Sequence, residues 1–319
     1  MFPPPEREDR MRGAPDGAPV VSVVIPAYRR PGRLLECLGA LARQTFREPW
    51  EVMVVDDGSP EPIASALQHP GRSFGLSLRV HRQDNGGPAS ARNTAVREAR
   101  GAFIAFTDDD CRPEPTWLEL LMKAGRERDG ALVGGTTVNG LPQELFSVTS
   151  QFIVDLVYAH FNADPERAYF LASNNLLCRR DRFLEIGGFD AEFPRAGAED
   201  REFCDRWRMR GWPLVWRPEA RVVHFHHQTL RSFVDLHLRY GRGAFLYQAK
   251  RRERGSGTMS DDLAFHRSLI RDLQSGMRRL PDDLSRWQVL AALGLWQSAN
   301  AAGFAAEALV AKFRGRESA

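Results

Sequence analysis

An α/β fold built on a mostly parallel sheet is predicted by three observations. Between residues 20 and 135, short runs rich in β-branched and aromatic residues alternate with stretches of helical periodicity, the pattern of βαβ units. The runs stop at residues that favour turns, such as Pro26 and the pair Gly58–Ser59. Two of them end in acidic clusters, Asp56–Asp57 and Asp108–Asp109–Asp110, where ligands gather beyond the carboxyl ends of strands.

The elements follow in order. Residues 21–25 form a first strand stopped by Pro26, and Leu34, Leu35, Leu38 and Leu41 mark a helix with Pro31 near its start. Residues 52–55 make a second strand, 78–81 a third and 103–106 a fourth, with a helix from Pro88 to about Arg97 between the last two. A helix over 144–160, a strand over 175–178 and the turn Gly187–Gly188–Phe189–Asp190 come next. A charged helix over 199–210 and two short strands, 214–216 and 221–224, complete this part. Beyond His227 the chain reads as helical, with a basic run over 250–254 and an apolar stretch over 287–313. The division expected is a disordered tail over 1–19, an α/β domain over 20–227 and a helical extension over 228–319.

Composition narrows the function. A net charge of +3 is too mild to indicate a nucleic-acid partner. Cys37, Cys111, Cys178 and Cys204 are scattered without a C-x-x-C pair, which fits reduced thiols in the cytoplasm and no zinc site. The first nineteen residues lack the apolar core of a signal peptide. The stretch 287–313 is long enough to span a bilayer but carries Gln288, Gln297, Asn300 and Glu307. A packed helix or hairpin is expected there. The alternative is a helix lying on the inner face of the membrane, helped by the basic run and by Arg278–Arg279.

The acidic triplet is the most informative feature. Three adjacent carboxylates repel one another unless a cation is bound, and oxygen ligands of this kind suit Mg²⁺ or Mn²⁺ holding substrate phosphates. Asp56 and Asp57 are placed to accept from a nucleobase or ribose, or else to cap a turn. Asn85, Gly86 and Gly87 precede a helix start, where backbone N–H groups can meet an anion, with Arg92 and Asn93 one turn further in, either to hydrogen-bond a nucleotide or to pair with the acidic loops. Glu199 and Asp200 open a helix; either they stabilise its dipole, or Asp200 is a general base whose proton affinity Glu199 raises. His224 and His226 share one face after a strand, with His227 on the other. An imidazole there can complete an oxygen-rich coordination shell, His224 before His226.

The ordered motifs resemble family-2 glycosyltransferases of the GT-A fold. They are Val21–Tyr28 (VSVVIPAY), Val54–Ser59 (VVDDGS), Asn85–Pro88 with Ala91–Asn93, Phe106–Asp110, the Gly-Gly-Phe-Asp turn and Glu199–Asp200. They cover roughly residues 20–227. The resemblance implies a Rossmann-like mixed sheet flanked by helices, and metal-dependent, inverting transfer from a nucleotide-sugar donor, a UDP-sugar first. It places Pro26, Ala27, Tyr28, Asp56 and Asp57 at the base and ribose, with Asn85, Arg92, Asn93 and Asp109 also on the donor side. Asp110 becomes the metal ligand, with Asp108 on ribose or metal and His224 or His226 completing the shell. Asp200 becomes the base, with Glu199 beside it, and Asn174 and Asn175 lie near the donor sugar or acceptor. No Gln-x-x-Arg-Trp element is present, which implies transfer of a single residue. A glycan or lipid-linked acceptor of the cell envelope is the expectation by analogy.

Two other readings stay open. A sugar-phosphate nucleotidyltransferase would want a Gly-rich loop with Arg and Lys after the first strand, which Pro26–Ala27–Tyr28 does not supply. A non-catalytic sugar- or membrane-binding protein would be marked by loss of Asp200 or the triplet, and both are present.

Overall fold

A computed structural model describes residues 17–67, 74–193, 197–258, 265, 273 and 284–317. The strands are β1 (Val21–Ala27), β2 (Trp50–Asp57), β3 (Leu78–Gln83), β4 (Phe103–Thr107), β5 (Cys111–Pro113), β6 (Leu132–Asn139), β7 (Asn175–Arg179) and β8 (Leu214–His224). The helices are α1 (Pro31–Leu41), α2 (Ile63–Leu67), α3 (Pro88–Glu98), α4 (Trp117–Glu127), α5 (Leu145–Phe161), α6 (Arg180–Glu185), α7 (Glu199–Met209), α8 (Leu230–Arg254) and α9 (Arg286–Glu317).

All eight strands join one sheet in the order β3-β2-β1-β4-β7-β6-β8-β5. The half from β3 to β4 is parallel, as the alternating pattern predicts. β7 then enters antiparallel to both β4 and β6, and β5 pairs antiparallel with β8. The sheet is therefore mixed. Strand alternation sends Val23 and Ile25 to a face covered by Leu34, Leu38 and Trp117. Val24, Met53 and Val55 go to the other, under Ala91, Ala95, Phe203 and Trp207. Both faces are covered, so β1 and β2 read as near-continuous apolar runs.

Several boundaries differ from the sequence reading. β1 continues through Pro26, because the β4 pairing has already ended at Val24↔Phe106 and the missing N–H falls at the strand's end. The two short strands over 214–224 are one strand, β8, whose pairing with β6 shifts between Gly134 and Thr136. β6 was not anticipated, since two central glycines depress β propensity. Gly135 is required there: a Cβ would lie 1.8 Å from the Ala220 carbonyl oxygen. β5 is three residues long and α4 follows it directly, neither carrying a signal in the sequence reading.

The expected helical extension is present as α8 and α9, packed on α5 through Phe152, Leu156, Phe233, Val289, Leu293 and Trp296. No helix among the described residues is long and apolar enough to cross a membrane. The basic run over 250–254 turns largely inward. Lys250 pairs with Asp190 at 2.8 Å and Glu192 at 3.0 Å, Arg251 is buried, and Arg254 bonds Glu202 and Asp205. That corrects its reading as a membrane-surface patch. Arg278–Arg279, and residues 1–16 of the expected tail, lie outside the described residues.

Candidate active site

The triplet leaves β4 and folds directly into β5, whose pairing with β8 puts Cys111 in register with His224. The backbone is locked there by Phe225 N–H donating to the Asp110 carbonyl at 2.9 Å. His224 Nε2 accordingly stands 3.3 Å from Asp110 Oδ1. Burial alone would raise the Asp110 pKa, but His224 and then Arg30 hold it well below the usual carboxylate range. Burial opposes charge on His224 too, and Asp110 outweighs it, raising the imidazole. His226 stacks on His224 with ring centroids 5.0 Å apart and makes no bond to Asp110. Desolvation first, then the neighbouring His224 charge, push it down to about 3. His227 faces elsewhere and meets Glu144 at 2.7 Å.

The three aspartates have different surroundings. Asp108 is the accessible one and accepts from Arg92 at 2.6 Å. Asp109 is fully buried beneath Arg30, 2.6 Å away, and desolvation pushes its carboxyl up to about 7. It therefore supports the crevice floor, a correction to its place among the donor contacts. Arg30 also bonds Asp110. Sequence reasoning missed Arg30; its signal was a guanidinium just past the turn that ends β1, opposite the strand end carrying the triplet.

Arg92 links the triplet to the second acidic pair. It is buried, bonds Asp108, and lies 3.7 Å from Glu199. Glu199 also accepts from Gly197 N–H at 2.8 Å. Ala198 between them has φ 71, one of two non-glycine residues with positive φ among the described residues. The other is Arg29, beside Arg30, so both strained backbone positions flank this crevice. Asp200 keeps part of its surface open in dense surroundings. Burial first, and Glu199 second, raise its carboxyl to about 7. The helix that carries the pair rests on a ring stack of Phe106, Phe183, Phe189, Phe203 and Trp207.

The remaining sequence-predicted residues divide sharply. Asp57 accepts from Gly86 N–H and Gly87 N–H at 2.8 Å each, and from Gln83 and Asn85. The anion met by that glycine loop is thus Asp57 itself, which corrects the expectation of a ligand-anion cradle. Asp56 is 1% exposed and takes bonds from Ser59 N–H, Ile63 N–H and Arg82. Both aspartates shape the strand-end turn. Asn85 retains a buried Oδ1 without a bond. Pro26 and Ala27 are buried, and Tyr28 alone of that segment offers side-chain surface.

Asn93 clamps the Gly-Gly-Phe-Asp turn, accepting from Phe189 N–H at 2.9 Å and donating to its carbonyl at 2.7 Å. Asn175 is fully buried, bonded to Trp117, Thr136 and Ala220. It stitches the sheet and does not face the crevice, a correction. Asn174 is half-buried and accepts from Thr137 at 3.1 Å. Arg242 on α8 pairs with Glu307 on α9 at 2.7 Å. A cavity of about 320 Å³ under the Gly187–Asp190 turn is lined by Glu202, Arg206, Lys250 and Arg254. It contains none of the triplet or of the Glu199–Asp200 pair, and its charges pair with acids of the chain.

Residues 22–187 match the sequence profile of glycosyl transferase family 2. The chain belongs to that family. It is similar to the glycosyltransferase AglE of Haloferax volcanii, 34% identical over 230 residues, 70% of this chain and 73% of the relative. A glucosyl-dolichyl phosphate glucuronosyltransferase of the same organism is 28% identical over 223 residues, 66% of this chain and 71% of the relative. Among solved structures, the mannosyltransferase PcManGT from Pyrobaculum calidifontis, in complex with GDP-Man and Mn²⁺, superposes with a TM-score of 0.58 at 21% identity. That likeness covers 97% of this chain and 84% of the other, and establishes the GT-A fold. The chain is thus a GT-A glycosyltransferase.

The donor set of this glycosyltransferase suits a hard divalent ion. Asp110, Cys111 and His224 each offer an atom within 4.8 Å of the others. Desolvation, and then Asp110, raise the Cys111 thiol well above its ordinary value, and a hard ion takes oxygen and nitrogen in preference to such a sulfur. One carboxylate and one imidazole leave positions for phosphate oxygens and water, as Mg²⁺ and Mn²⁺ prefer.

Proposed function

We propose that this enzyme transfers a single sugar from a nucleoside diphosphate sugar to an acceptor hydroxyl by a metal-dependent, inverting displacement. The observation that carries the reading is the meeting of Asp110 with His224 at 3.3 Å, in a crevice that Arg92 connects to the Glu199–Asp200 pair. Asp110 and His224 would hold Mg²⁺ or Mn²⁺, with Asp108 beside them. The ion would supply positive charge to the diphosphate as the glycosidic bond breaks.

The chain's own residues do the rest. Asp200, poised near neutrality, takes the proton of the acceptor hydroxyl. The acceptor oxygen bonds to the anomeric carbon, and the nucleoside diphosphate leaves from the opposite face with its electron pair. Arg92 holds Asp108 and Glu199 in fixed relation. Arg30 neutralises Asp109 and Asp110 and lies where a diphosphate would meet it. Tyr28 borders the donor base, in a pocket whose walls Asp56 and Asp57 fix from within. A UDP-sugar is the first donor to try; the structural neighbour holds GDP-Man. A glycan or lipid-linked acceptor in envelope or polysaccharide synthesis fits the relatives, and the extension over 228–319 belongs to the acceptor side.

A thermal-shift screen of UDP- and GDP-sugars, each with Mn²⁺ or with EDTA, tests the reading. One donor is expected to raise Tm with Mn²⁺ only, since a ligand stabilises only the state it binds. Equal stabilisation in EDTA would remove the metal, and no stabilisation by any nucleotide sugar would remove the donor.

A further inference from the structure

We propose that α8 forms the acceptor-side wall of the active site, with Gly243 positioning the turn that leads into Asp200 on α7 and Tyr240 bordering the same crevice. The proposal rests on the reading of Asp200 as base.

At the crossing of α8 with that loop there is no room for a side chain. A Cβ on Gly243 would lie 2.0 Å from the Gly197 carbonyl oxygen and 2.5 Å from its carbon. Gly197 is the residue whose N–H donates to Glu199, and the left-handed Ala198 stands between them. The strained turn is thus clamped from outside by the helix.

Tyr240 lies one turn before Gly243 and on the same face. It keeps 39% of its surface exposed. Dense surroundings, then the charges of Asp200 and Glu199, raise its hydroxyl pKa. Because Gly243 on this face abuts Gly197, Tyr240 is turned toward the same turn, and its open surface borders the crevice that the pair lines. Its ring meets His237 edge-on at 5.5 Å, and His237 in turn touches Phe233 at 4.4 Å. His237 is 2% exposed, neither ring nitrogen is bonded, and burial pushes it down to about 4, so it is neutral. Tyr240 is the open member of this wall, and the buried His237 and Phe233 back it. Such a surface suits a sugar ring, whose C–H face lies on aromatic carbon while its hydroxyls meet Tyr240 and Asp200. Among the described residues, other charged or titratable groups that act electrostatically on Asp200 include Glu199, Arg201 and Cys204 on α7, Arg92 on α3 and Tyr158 on α5.

Carbon-13 NMR titration of the full chain labelled at aspartate tests the wall without donor or acceptor, with Asp200 assigned through Asp200→Asn. Gly243→Ala forces α8 and the loop apart, admits water, and is expected to lower the Asp200 midpoint by about one unit or more. Gly241→Ala crowds the Asn300 carbonyl of α9 at 2.0 Å instead and is expected to leave the midpoint in place. Tyr240→Ala, at an exposed position, is expected to lower it as well, which keeps the proposal open to test if Gly243→Ala does not fold. A folded Gly243→Ala or Tyr240→Ala protein that titrates Asp200 as wild type overturns the wall, as does an equal shift in Gly241→Ala. Continued transfer by Asp200→Asn, with the titration shifts intact, would instead refute the base and leave the wall standing.

Discussion

His224 meets Asp110 because Cys111 is in register with it across the β5–β8 pair. Two residues 114 positions apart are thereby held 3.3 Å from each other by backbone pairing alone. Each changes the other: the carboxylate favours the imidazolium and the imidazolium favours the carboxylate. A divalent ion held by the two, as proposed, would take the place of that proton, so its binding and the protonation of His224 would compete.

Asp200→Asn is expected to bind donor normally and to lose transfer by about a hundredfold or more. It is also expected to stabilise the fold at pH 8. The folded Asp200 titrates near 7, against 3.8 for its ordinary value, so the native state binds its proton more tightly than the unfolded chain. Stability falls as pH rises from about 4 to about 7, and the full cost, on the order of 4 kcal/mol, applies above that window. Asn escapes it. Melting curves at pH 8 and pH 4 check this: the variant melts higher at pH 8 and the advantage disappears at pH 4.

The rate of transfer is expected to rise with pH through about 7, as Asp200 becomes the ionised base. Glu199→Gln removes the second cause of that raised value and is expected to move the limb down by about one unit. Profiles of kcat against pH for both proteins provide the comparison, and an unmoved limb assigns it to another group.

Arg30→Gln takes the guanidinium from Asp109 and from Asp110, which keeps His224. Without Mn²⁺ the variant is expected to melt below wild type, since a buried carboxylate loses its partner. Added Mn²⁺ is expected to raise its Tm by more than it raises that of wild type, because no guanidinium competes for Asp110. Equal Mn²⁺ shifts in the two proteins would mean that Arg30 and the ion do not share Asp110.

Asn93→Ala leaves the Phe189 N–H and carbonyl without their partners. A cost of about 2–3 kcal/mol is expected, readable by chemical denaturation. Donor affinity is expected to stay near wild type, since Asn93 serves the turn and not the ligand.

The parallel half of the fold was legible because β1, β2 and β4 are apolar runs closed by turn residues, and their ends carry the acidic clusters. β6 was not, because its glycines make room for Leu171 and Ala220, contacts that no local window contains. The chemistry-bearing types were legible where charge is concentrated: the triplet, the Glu199–Asp200 pair and the histidines. What remained hidden was who neutralises whom. Asp57 reads as a ligand contact until Gly86 and Gly87 are seen donating to it. Asn175 reads like Asn174, one residue away, yet alternation turns it into the sheet. Arg30 stands far in sequence from the carboxylates it faces, and only topology brings it there.

Titration calorimetry of Mn²⁺ into wild type and Asp110→Asn, each saturated with the nucleoside diphosphate found by the screen, tests the metal centre most directly. One Mn²⁺ is expected to bind the wild-type complex, and affinity in Asp110→Asn is expected to fall at least about tenfold. Undiminished Mn²⁺ affinity in Asp110→Asn would contradict the metal centre at the end of β4.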